Sequence, residues 1–181
     1  PGQFLHLKWE PQVSSSDPLL RRPISVNDFD ATKEEVTIIY RAVGRGTRLL
    51  SQLQPGDKLD IMGPLGTGFS LPPAANKVAV VGGGMGIAPL LPLVKKILAA
   101  GREVVVLLGA NRKSGLLNLS YYHTLGVEVK AATQDGSYGY QGVVTDLLAD
   151  VENIDYVYTC GPEVMMKKVK DWLVECGLKG Q

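Results

Sequence analysis

The most constraining feature of the sequence is a glycine-rich loop between an apolar strand and a helix. The segment Val80-Val-Gly-Gly-Gly-Met-Gly-Ile-Ala-Pro89 continues an apolar run that begins at Val78. Glycine lets the phosphates of a ligand approach the backbone, and the N–H groups at a helix start attract anions. The loop therefore predicts a site for the pyrophosphate or the nicotinamide end of a dinucleotide.

The spacing of this loop departs from the usual dinucleotide fingerprint. Gly82, Gly84 and Gly86 give G-x-G-x-G, and Ile87 stands where the last glycine of G-x-G-x-x-G would fall. A turn that needs glycine only for tight packing of strand against helix is the alternative interpretation. Glycine is in excess over the whole chain, at 21 of 181 residues, or roughly 12% against about 7% on average.

Beyond residue 76, apolar runs alternate with helical patterns. Runs typical of parallel strands cover Val78–Val81, Glu103–Leu108, Val127–Ala132 and Tyr156–Thr159. Helices are predicted over Ala88–Ala100, Leu116–Leu125 and Val143–Val151, and from Pro162 to a stop at Gly177. This order predicts an α/β doubly wound parallel-sheet nucleotide-binding domain.

The first part of the chain has a different pattern. Short extended runs are predicted at Gln3–Trp9, Pro23–Val26, Glu35–Val43 and Lys58–Met62, with a short helix over Gly46–Leu53. Successive short strands favour an antiparallel β-barrel. The change of pattern predicts a barrel domain over residues 1–73 and an α/β domain over residues 77–181.

Composition excludes several classes of function. With 19 basic and 18 acidic residues, the net charge of +1 does not indicate nucleic-acid binding. The absence of a long apolar run and of a signal-peptide pattern predicts a cytoplasmic protein without a membrane partner. Two cysteines cannot form a disulfide scaffold, and with His6 and His123 as the only other soft ligands the sequence does not favour a structural zinc site.

Two segments of the barrel half predict anion contacts. Gly44 and Gly46-Thr47 precede a helical pattern, so that N–H groups and a hydroxyl lie at a helix start, although a plain capped helix is the alternative. In Leu20-Arg-Arg-Pro-Ile-Ser25, proline holds the backbone extended. The Arg22 guanidinium and the Ser25 hydroxyl are expected along one strand edge, where both can contact a phosphate-bearing ligand.

These segments occur in the order found in the ferredoxin-NADP reductase superfamily. Arg22-Pro-Ile-Ser25 resembles its Arg-x-Tyr-Ser flavin motif. The other matching segments are Pro1-Gly-Gln-Phe4, Ile39-Tyr-Arg41, Gly46-Thr47, Gly82–Pro89 and Cys160-Gly-Pro162. Asp60-Ile-Met-Gly-Pro-Leu-Gly66, Asp135-Gly-Ser-Tyr-Gly139 and Tyr158-Thr-Cys-Gly-Pro162 make the chain similar, more narrowly, to electron-transfer subunits of NAD-linked (class 1B) dihydroorotate dehydrogenases.

The resemblance implies that FAD binds in the barrel half. Arg22 would pair with the FAD pyrophosphate, and Ser25 would lie near the flavin ring as a catalytic residue where the hydride arrives. Packing inside the barrel is the alternative for Tyr40. The implied FAD contacts are Arg22, Pro23, Ile24, Ser25, Ile39, Tyr40, Arg41, Gly46 and Thr47.

The resemblance also implies that NAD(H) binds in the α/β half. Cys160 would lie beside the nicotinamide as a second catalytic residue, or else be a small core residue. Cys176 is expected in the core. The implied nucleotide contacts are Gly82, Gly83, Gly84, Gly86, Ile87, Ala88, Pro89, Asp135, Gly136, Cys160, Gly161 and Pro162.

The implied reaction is hydride exchange between nicotinamide C4 and flavin N5, for which the protein supplies alignment rather than an acid–base pair. The implied partner is an FMN-containing dihydroorotate dehydrogenase catalytic subunit, in a heterotetramer. Four C-terminal cysteines of the complete subunit would hold a [2Fe-2S] cluster. Those cysteines, and the strands expected before Pro1, are absent from this sequence, so we expect it to be part of a longer protein.

Other assignments remain open at this point. A ferredoxin-NAD(P) oxidoreductase subunit shares nearly every motif, and a regulatory module that binds a nucleotide without catalysis is a second alternative. Arg112 and Lys113 could accept the 2'-phosphate of NADP or belong to a solvated loop, whereas the resemblance favours NAD.

If Arg22 binds the FAD pyrophosphate, Arg22→Ala should lower the flavin content of the purified protein. The loss follows from removal of a bidentate phosphate donor, and the ratio of flavin to protein absorbance measures it. An unchanged ratio would rule out this role for Arg22.

Overall fold

The computed structural model describes residues 1–8 and 20–181, and its first sheet is antiparallel. The strands are β1 (Phe4–Lys8), β2 (Arg22–Asp30), β3 (Glu35–Ile38) and β4 (Asp60–Leu65), in the order β3-β2-β1-β4. Alternate residues of β1, Leu5 and Leu7, are buried against the short helix α1 (Arg45–Leu50). A strand with one buried face requires this period of two.

The second sheet is parallel and lies in the α/β half. Its strands are β5 (Lys77–Gly83), β6 (Glu103–Ala110), β7 (Glu128–Thr133), β8 (Tyr140–Gln141), β9 (Tyr156–Cys160) and β10 (Lys179–Gly180). The order β10-β9-β5-β6-β7-β8 places β5 at the centre, with later strands added on both sides. Ligands of such sheets bind where this order reverses, outside the carboxyl ends of the strands.

Helices cover both faces of the parallel sheet. The α-helices are α2 (Leu91–Ala99), α3 (Leu119–Thr124) and α4 (Glu163–Cys176), and 3₁₀ helices cover Gly84–Leu90, Lys113–Gly115 and Val144–Asp150. Val78 and Val80 pack under α2 and α3, whereas Ala79 and Val81 face the opposite core with Val169 of α4. Because β5 is buried on both faces, its sequence is a continuous apolar run.

The structure confirms the predicted fold class and changes several boundaries. The helix predicted from Ala88 starts later, because Pro89 lies in the 3₁₀ segment and α2 begins only at Leu91. The strand predicted to reach Val43 ends at Ile38, and Val144–Asp150 is 3₁₀ rather than α. Trp9, the last residue of the first predicted strand, lies outside the described residues.

The prediction that Cys176 belongs to the core is wrong. Its side chain is exposed, although Val169 of the same helix is buried. Leu173 already contacts Gly180 and closes the core at this end of the helix. Helical spacing alone cannot show where the neighbouring sheet ends.

No helix within residues 1–8 and 20–181 has the length and apolar character needed to cross a bilayer.

Tyr158 of β9 joins the parallel sheet to the segment that follows the barrel half. Its ring is fully buried and meets Phe69 edge-on at 5.5 Å between centroids, and its hydroxyl donates a hydrogen bond to the Ser70 carbonyl. The Gln181 side-chain oxygen accepts a bond of 3.1 Å from the Ser70 backbone N–H. These contacts hold the connecting segment against the edge of the sheet.

Tyr158→Phe should lower the free energy of unfolding by about 1 kcal/mol near neutral pH, because it removes the hydrogen bond to Ser70. Burial, together with the neighbouring Tyr156, raises the pKa of Tyr158 to about 12. An unfolded tyrosine ionises near pH 10, so the folded chain holds this proton more tightly, and the stabilisation is lost as the pH rises from about 10 to about 12.

Urea unfolding at pH values between about 8 and about 11 measures this effect. The wild type should lose stability above about pH 10 more steeply than Tyr158→Phe. Parallel pH profiles for the two proteins would contradict the assignment. Tyr140→Phe, at an exposed side chain, is the control for loss of a tyrosine hydroxyl outside the core.

Candidate functional site

A cavity of about 950 Å³ opens at the carboxyl ends of the parallel strands. Gly83 of β5 and Cys160 of β9 lie on one side of it, and Gly109 of β6 and Gln134, just after β7, lie on the other. The strand register places Gly82 beside Cys160 and Gly83 beside Gly109, so these ends meet at one edge. The cavity therefore lies where parallel sheets bind their ligands.

Most glycines of the predicted loop are needed for packing around this cavity. A β-carbon at Gly86 would collide with the backbone of Cys160 and Gly161, and one at Gly83 would lie 3.1 Å from Pro162. Gly84 differs, because it has φ +55 and open space where a side chain would be. The packing interpretation thus applies to Gly83 and Gly86, whereas Gly84 leaves backbone open to a ligand.

The charges around the cavity have one sign. Arg41 comes from the barrel half, Arg112 from the loop after β6 and Lys168 from α4. None of the described residues that line the cavity is acidic. Three cations around one cavity favour a ligand with several negative charges, such as a dinucleotide.

Cys160 is both a cavity-facing residue and a core residue, the two roles that the sequence left open. It lines the cavity, yet it is half-buried and packs against the core. Burial raises the pKa of its thiol, so the side chain stays a neutral thiol at physiological pH. A neutral thiol can pack against a ligand ring but is a poor nucleophile.

In the barrel half, Arg22 and Gly46 lie together. A β-carbon at Gly46 would lie 3.0 Å from the Arg22 guanidinium carbon, so only glycine lets Arg22 lie against the first turn of α1. The Arg22 Nη1 donates a hydrogen bond of 2.6 Å to the Leu20 carbonyl. With only six residues, α1 has a small dipole, and the guanidinium is the stronger attraction for a phosphate.

The strand edge next to Arg22 is open over residues 22–25. β1 pairs with these residues on one side, from Leu7 opposite Arg22 to Phe4 opposite Ser25. On the other side, the pairing with β3 includes only residues from Val26 onwards. Ile39 and Arg41 follow the end of β3 at this point, so a flat ligand has access to backbone N–H and C=O groups.

Some predicted FAD contacts have another role in the fold. Ile24 and Tyr40 pack against the small core of the barrel half, which is the alternative considered for Tyr40. The Thr47 hydroxyl accepts hydrogen bonds of 3.1 Å from the N–H groups of Val43 and Gly44, so it caps α1. Pro23 is exposed on β2, and Ser25 is half-buried on the same strand.

Several predicted nucleotide contacts lie outside the cavity lining. Ile87, Ala88 and Pro89 are buried in the 3₁₀ segment, where Ile87 and Ala88 are at most 1% exposed. The side chains of Leu90 and Ile87 occupy the space where a β-carbon of Gly82 would lie. The 3₁₀ segment turns these side chains towards the core, so they pack under the glycine-rich loop and do not face the cavity.

Asp135 and Gly136 also lie outside the lining. The Asp135 carboxylate accepts hydrogen bonds from the hydroxyl and the N–H of Ser137, at 2.6 and 3.0 Å. These bonds, and to a smaller extent the charge of Arg112, lower the pKa of Asp135. The carboxylate therefore organises the turn after β7.

The structure adds cavity residues that the sequence motifs do not include. Asn111 and Ser114 lie on either side of Arg112, the candidate contact to a 2'-phosphate, and follow the end of β6, a position that a parallel sheet predicts for ligand contacts. Lys168 lies one helical turn after Val164 on the same face of α4, and no sequence motif indicated either residue. The other additions are Met85, Gly109, Ala110, Gly115, Gln134, Gly142, Val143, Val144, Thr145, Val164 and Met165.

Known sequences similar to this chain are oxidoreductase subunits. Residues 80–171 match the sequence model described as the oxidoreductase NAD-binding domain. The chain is 41% identical to the electron transfer subunit of dihydroorotate dehydrogenase B (NAD(+)) of Desulforamulus reducens, over 100% of this chain and 69% of the relative. The same subunit of Bacillus caldolyticus is 43% identical, over 94% of this chain and 66% of the relative. The chain thus spans about two thirds of these relatives.

Comparison with solved structures agrees on the fold. An NADH-dependent reduced ferredoxin-NADP oxidoreductase matches with a TM-score of 0.82 and 30% identity, over 98% of this chain and 63% of that chain. Phthalate dioxygenase reductase matches with a TM-score of 0.76 at 18% identity, over 99% of this chain and 57% of that chain. The second match concerns the fold alone.

Gly86→Ala should lower the free energy of unfolding by about 2 kcal/mol, because the new methyl group displaces the backbone at Cys160 and Gly161. It should also weaken binding of NADH, since both loops line the cavity. Gly44→Ala is the control, because Gly44 has open space and an ordinary φ of −121. Urea unfolding and NADH titration measure the two effects, and equal stability losses in the two variants would refute the packing constraint.

Proposed function

The chain belongs to the family of electron transfer subunits of dihydroorotate dehydrogenase B (NAD(+)), and on that premise we propose that it passes electrons from dihydroorotate oxidation to NAD⁺. Residues 1–73 would bind FAD and residues 77–181 would bind NAD(H). The electrons would come from an FMN-containing catalytic subunit, in a cytoplasmic heterotetramer of the pyrimidine pathway. A [2Fe-2S] cluster of the assembled enzyme would need cysteine ligands other than the two of this sequence.

The observation that carries the proposal is the cavity at the carboxyl ends of the parallel strands, whose charged lining residues are all cations. Arg112 and Lys168 come from the α/β half, and Arg41 reaches the same cavity from the half that carries the flavin motif. Arg41 follows β3, whose pairing with β2 begins at Val26, so we infer that a nucleotide bound there lies near the open strand edge at residues 22–25. That neighbourhood is what exchange between two cofactors requires.

The residues of the barrel half fit FAD as well. The Arg22 guanidinium lies in a cradle that a β-carbon at Gly46 would fill, and it would pair with the pyrophosphate. The free edge of β2 offers backbone groups to a flavin ring, with Ser25 on the same strand. When bound, FAD and NAD(H) supply hydride exchange between flavin N5 and nicotinamide C4.

The residues of the chain would bind and orient the two cofactors and shield them from water. Gly84 lets phosphates approach the backbone, and Arg41, Arg112 and Lys168 neutralise their charge. The neutral Cys160 thiol and the adjacent Gly161 form an uncharged wall. No proton has to be moved by a side chain, so the site needs alignment more than acid–base groups.

A ferredoxin-NAD(P) oxidoreductase subunit is the second candidate. The 30% identity to the NADH-dependent reduced ferredoxin-NADP oxidoreductase, at a TM-score of 0.82, favours it. The exposed Arg112 at the cavity rim would suit the 2'-phosphate of NADP, whereas the Lys113 ammonium lies 5.2 Å from the centre of the Tyr138 ring. The two candidates differ in partner and nucleotide, whereas a regulatory module without catalysis conflicts with membership of an oxidoreductase family.

Purification of the natural full-length protein with its partners separates the candidates. We expect a yellow protein that copurifies with a dihydroorotate-oxidising flavoprotein and whose flavin absorbance falls on addition of NADH. Copurification with a ferredoxin-dependent enzyme and faster reduction by NADPH would favour the second candidate. A colourless protein that NADH leaves unchanged would overturn both.

Lys168→Met should raise the dissociation constant for NADH about fivefold, because one charge-assisted contact to a phosphate is lost. Lys167→Met is the matched control, since Lys167 is the neighbouring residue on α4 and does not line the cavity. Titration at low and high salt measures the effect, and the difference between wild type and Lys168→Met should shrink at high salt. Equal dissociation constants for the two variants would contradict the cationic-cavity assignment.

A further inference from the structure

A hydrogen-bonded pair of amides, one of them buried, joins the barrel half to the α/β half. Asn27 of β2 is only 3% exposed, and its Oδ1 accepts a hydrogen bond of 2.7 Å from Nδ2 of Asn118. Asn118 precedes α3 and has a left-handed backbone with φ 59. Asparagine tolerates this conformation better than most residues, so the position supplies both the turn and the side-chain donor.

An ion pair lies beside the amide pair. Lys95 of α2 places its Nζ 2.6 Å from the Asp28 carboxylate and 4.7 Å from the centre of the Tyr121 ring on α3. Burial acts to lower the pKa of Lys95, but its bonds to Asp28 and Tyr121 outweigh burial and raise it. The ammonium therefore stays charged at physiological pH and contacts β2 and α3 together.

The joined elements are those that carry the two cofactor sites. β2 contains Arg22–Ser25, and Asn27 follows Ser25 by two residues. α2 continues from the glycine-rich loop, and α3 follows the loop that contains Arg112. A shift of β2 relative to α2 and α3 would move the flavin strand relative to the nucleotide cavity.

We propose that Asn27, Asp28, Lys95 and Asn118 form an inter-domain latch that sets the position of the flavin strand relative to the nucleotide cavity. This inference rests on the proposed function, and it makes the four side chains positioning residues rather than catalytic ones. Directional polar pairs suit this task, because apolar surfaces can slide by an ångström at little cost whereas a buried hydrogen bond cannot.

The latch predicts a specific kinetic effect. Hydride exchange is sensitive to alignment, and a displacement of about 1 Å costs up to roughly a hundredfold in rate. Apart from Arg41, the residues that line the nucleotide cavity all belong to the α/β half, so the affinity for NADH should change much less than the rate. Loss of the latch should therefore reduce the limiting rate of flavin reduction while the dissociation constant for NADH stays nearly constant.

The experiment uses the natural full-length flavoprotein and the variants Asn118→Gly and Lys95→Met. Glycine keeps the left-handed backbone and removes the amide, and methionine keeps the length of the lysine side chain without its charge. Each variant should lower the limiting rate of flavin reduction at saturating NADH by about tenfold, with FAD content and NADH affinity within about twofold of wild type. Lys95→Arg should restore most of the rate.

Matched controls come from the same chain. Asn153→Gly changes another left-handed asparagine, with φ 58, and Lys33→Met removes the ion pair of 3.6 Å to Asp30 on the barrel surface. Both controls should keep the wild-type rate. Asn27→Ala combined with Asn118→Gly should be no slower than either single variant, because both remove the same bond.

Hydrogen exchange in the protein without nucleotide gives a readout that does not depend on activity. The variants should exchange faster at the amides of β2 around Asn27 and at the start of α3, and the controls should not. Wild-type rates in both latch variants, slow rates in the controls, or a rate loss matched by loss of FAD or NADH binding would overturn the latch. A wild-type protein that NADH cannot reduce would instead overturn the proposed function.

Discussion

Two backbone segments, the loop after β5 and the turn after β9, approach each other closely, and this contact positions the other elements around the cavity. Gly86 lies against the Cys160 carbonyl. A β-carbon at Gly161 would lie only 3.0 Å from the Gly83 carbonyl oxygen. Only glycine leaves enough room for this contact. It brings the ends of the central strands together, and the cavity is the space that the loops leave beyond it.

Charge then determines what this space can accept. The cavity takes one cation from each of three separate segments, with no acidic residue in its described lining. Each cation lies at the surface, where water weakens a single contact, so affinity for a polyanion comes from their convergence with the open backbone at Gly84. The three cations together favour a ligand with several negative charges more strongly than any one of them does.

The proposed flavin and nucleotide sites lie in separate halves of the chain, and a polar contact joins the two halves. Arg22 and Gly46 form the proposed phosphate cradle of one half, and the glycine-rich loop is the proposed nucleotide contact of the other. Between them, the Asn118 amide donates a hydrogen bond of 2.7 Å to the buried Asn27. A directional contact of this kind favours one arrangement of the two packed surfaces over others displaced by an ångström.

The order of the two halves, the fold class and the position of the glycine-rich loop follow from the sequence alone, because strand and helix periodicities and glycine clusters are local properties. Tertiary packing is what turns Ile87 and Pro89 towards the core, leaves Cys176 exposed, and brings Arg41 and Lys168 to the cavity. Those outcomes depend on where distant elements end and pack against one another. A residue's neighbours along the chain do not contain that information.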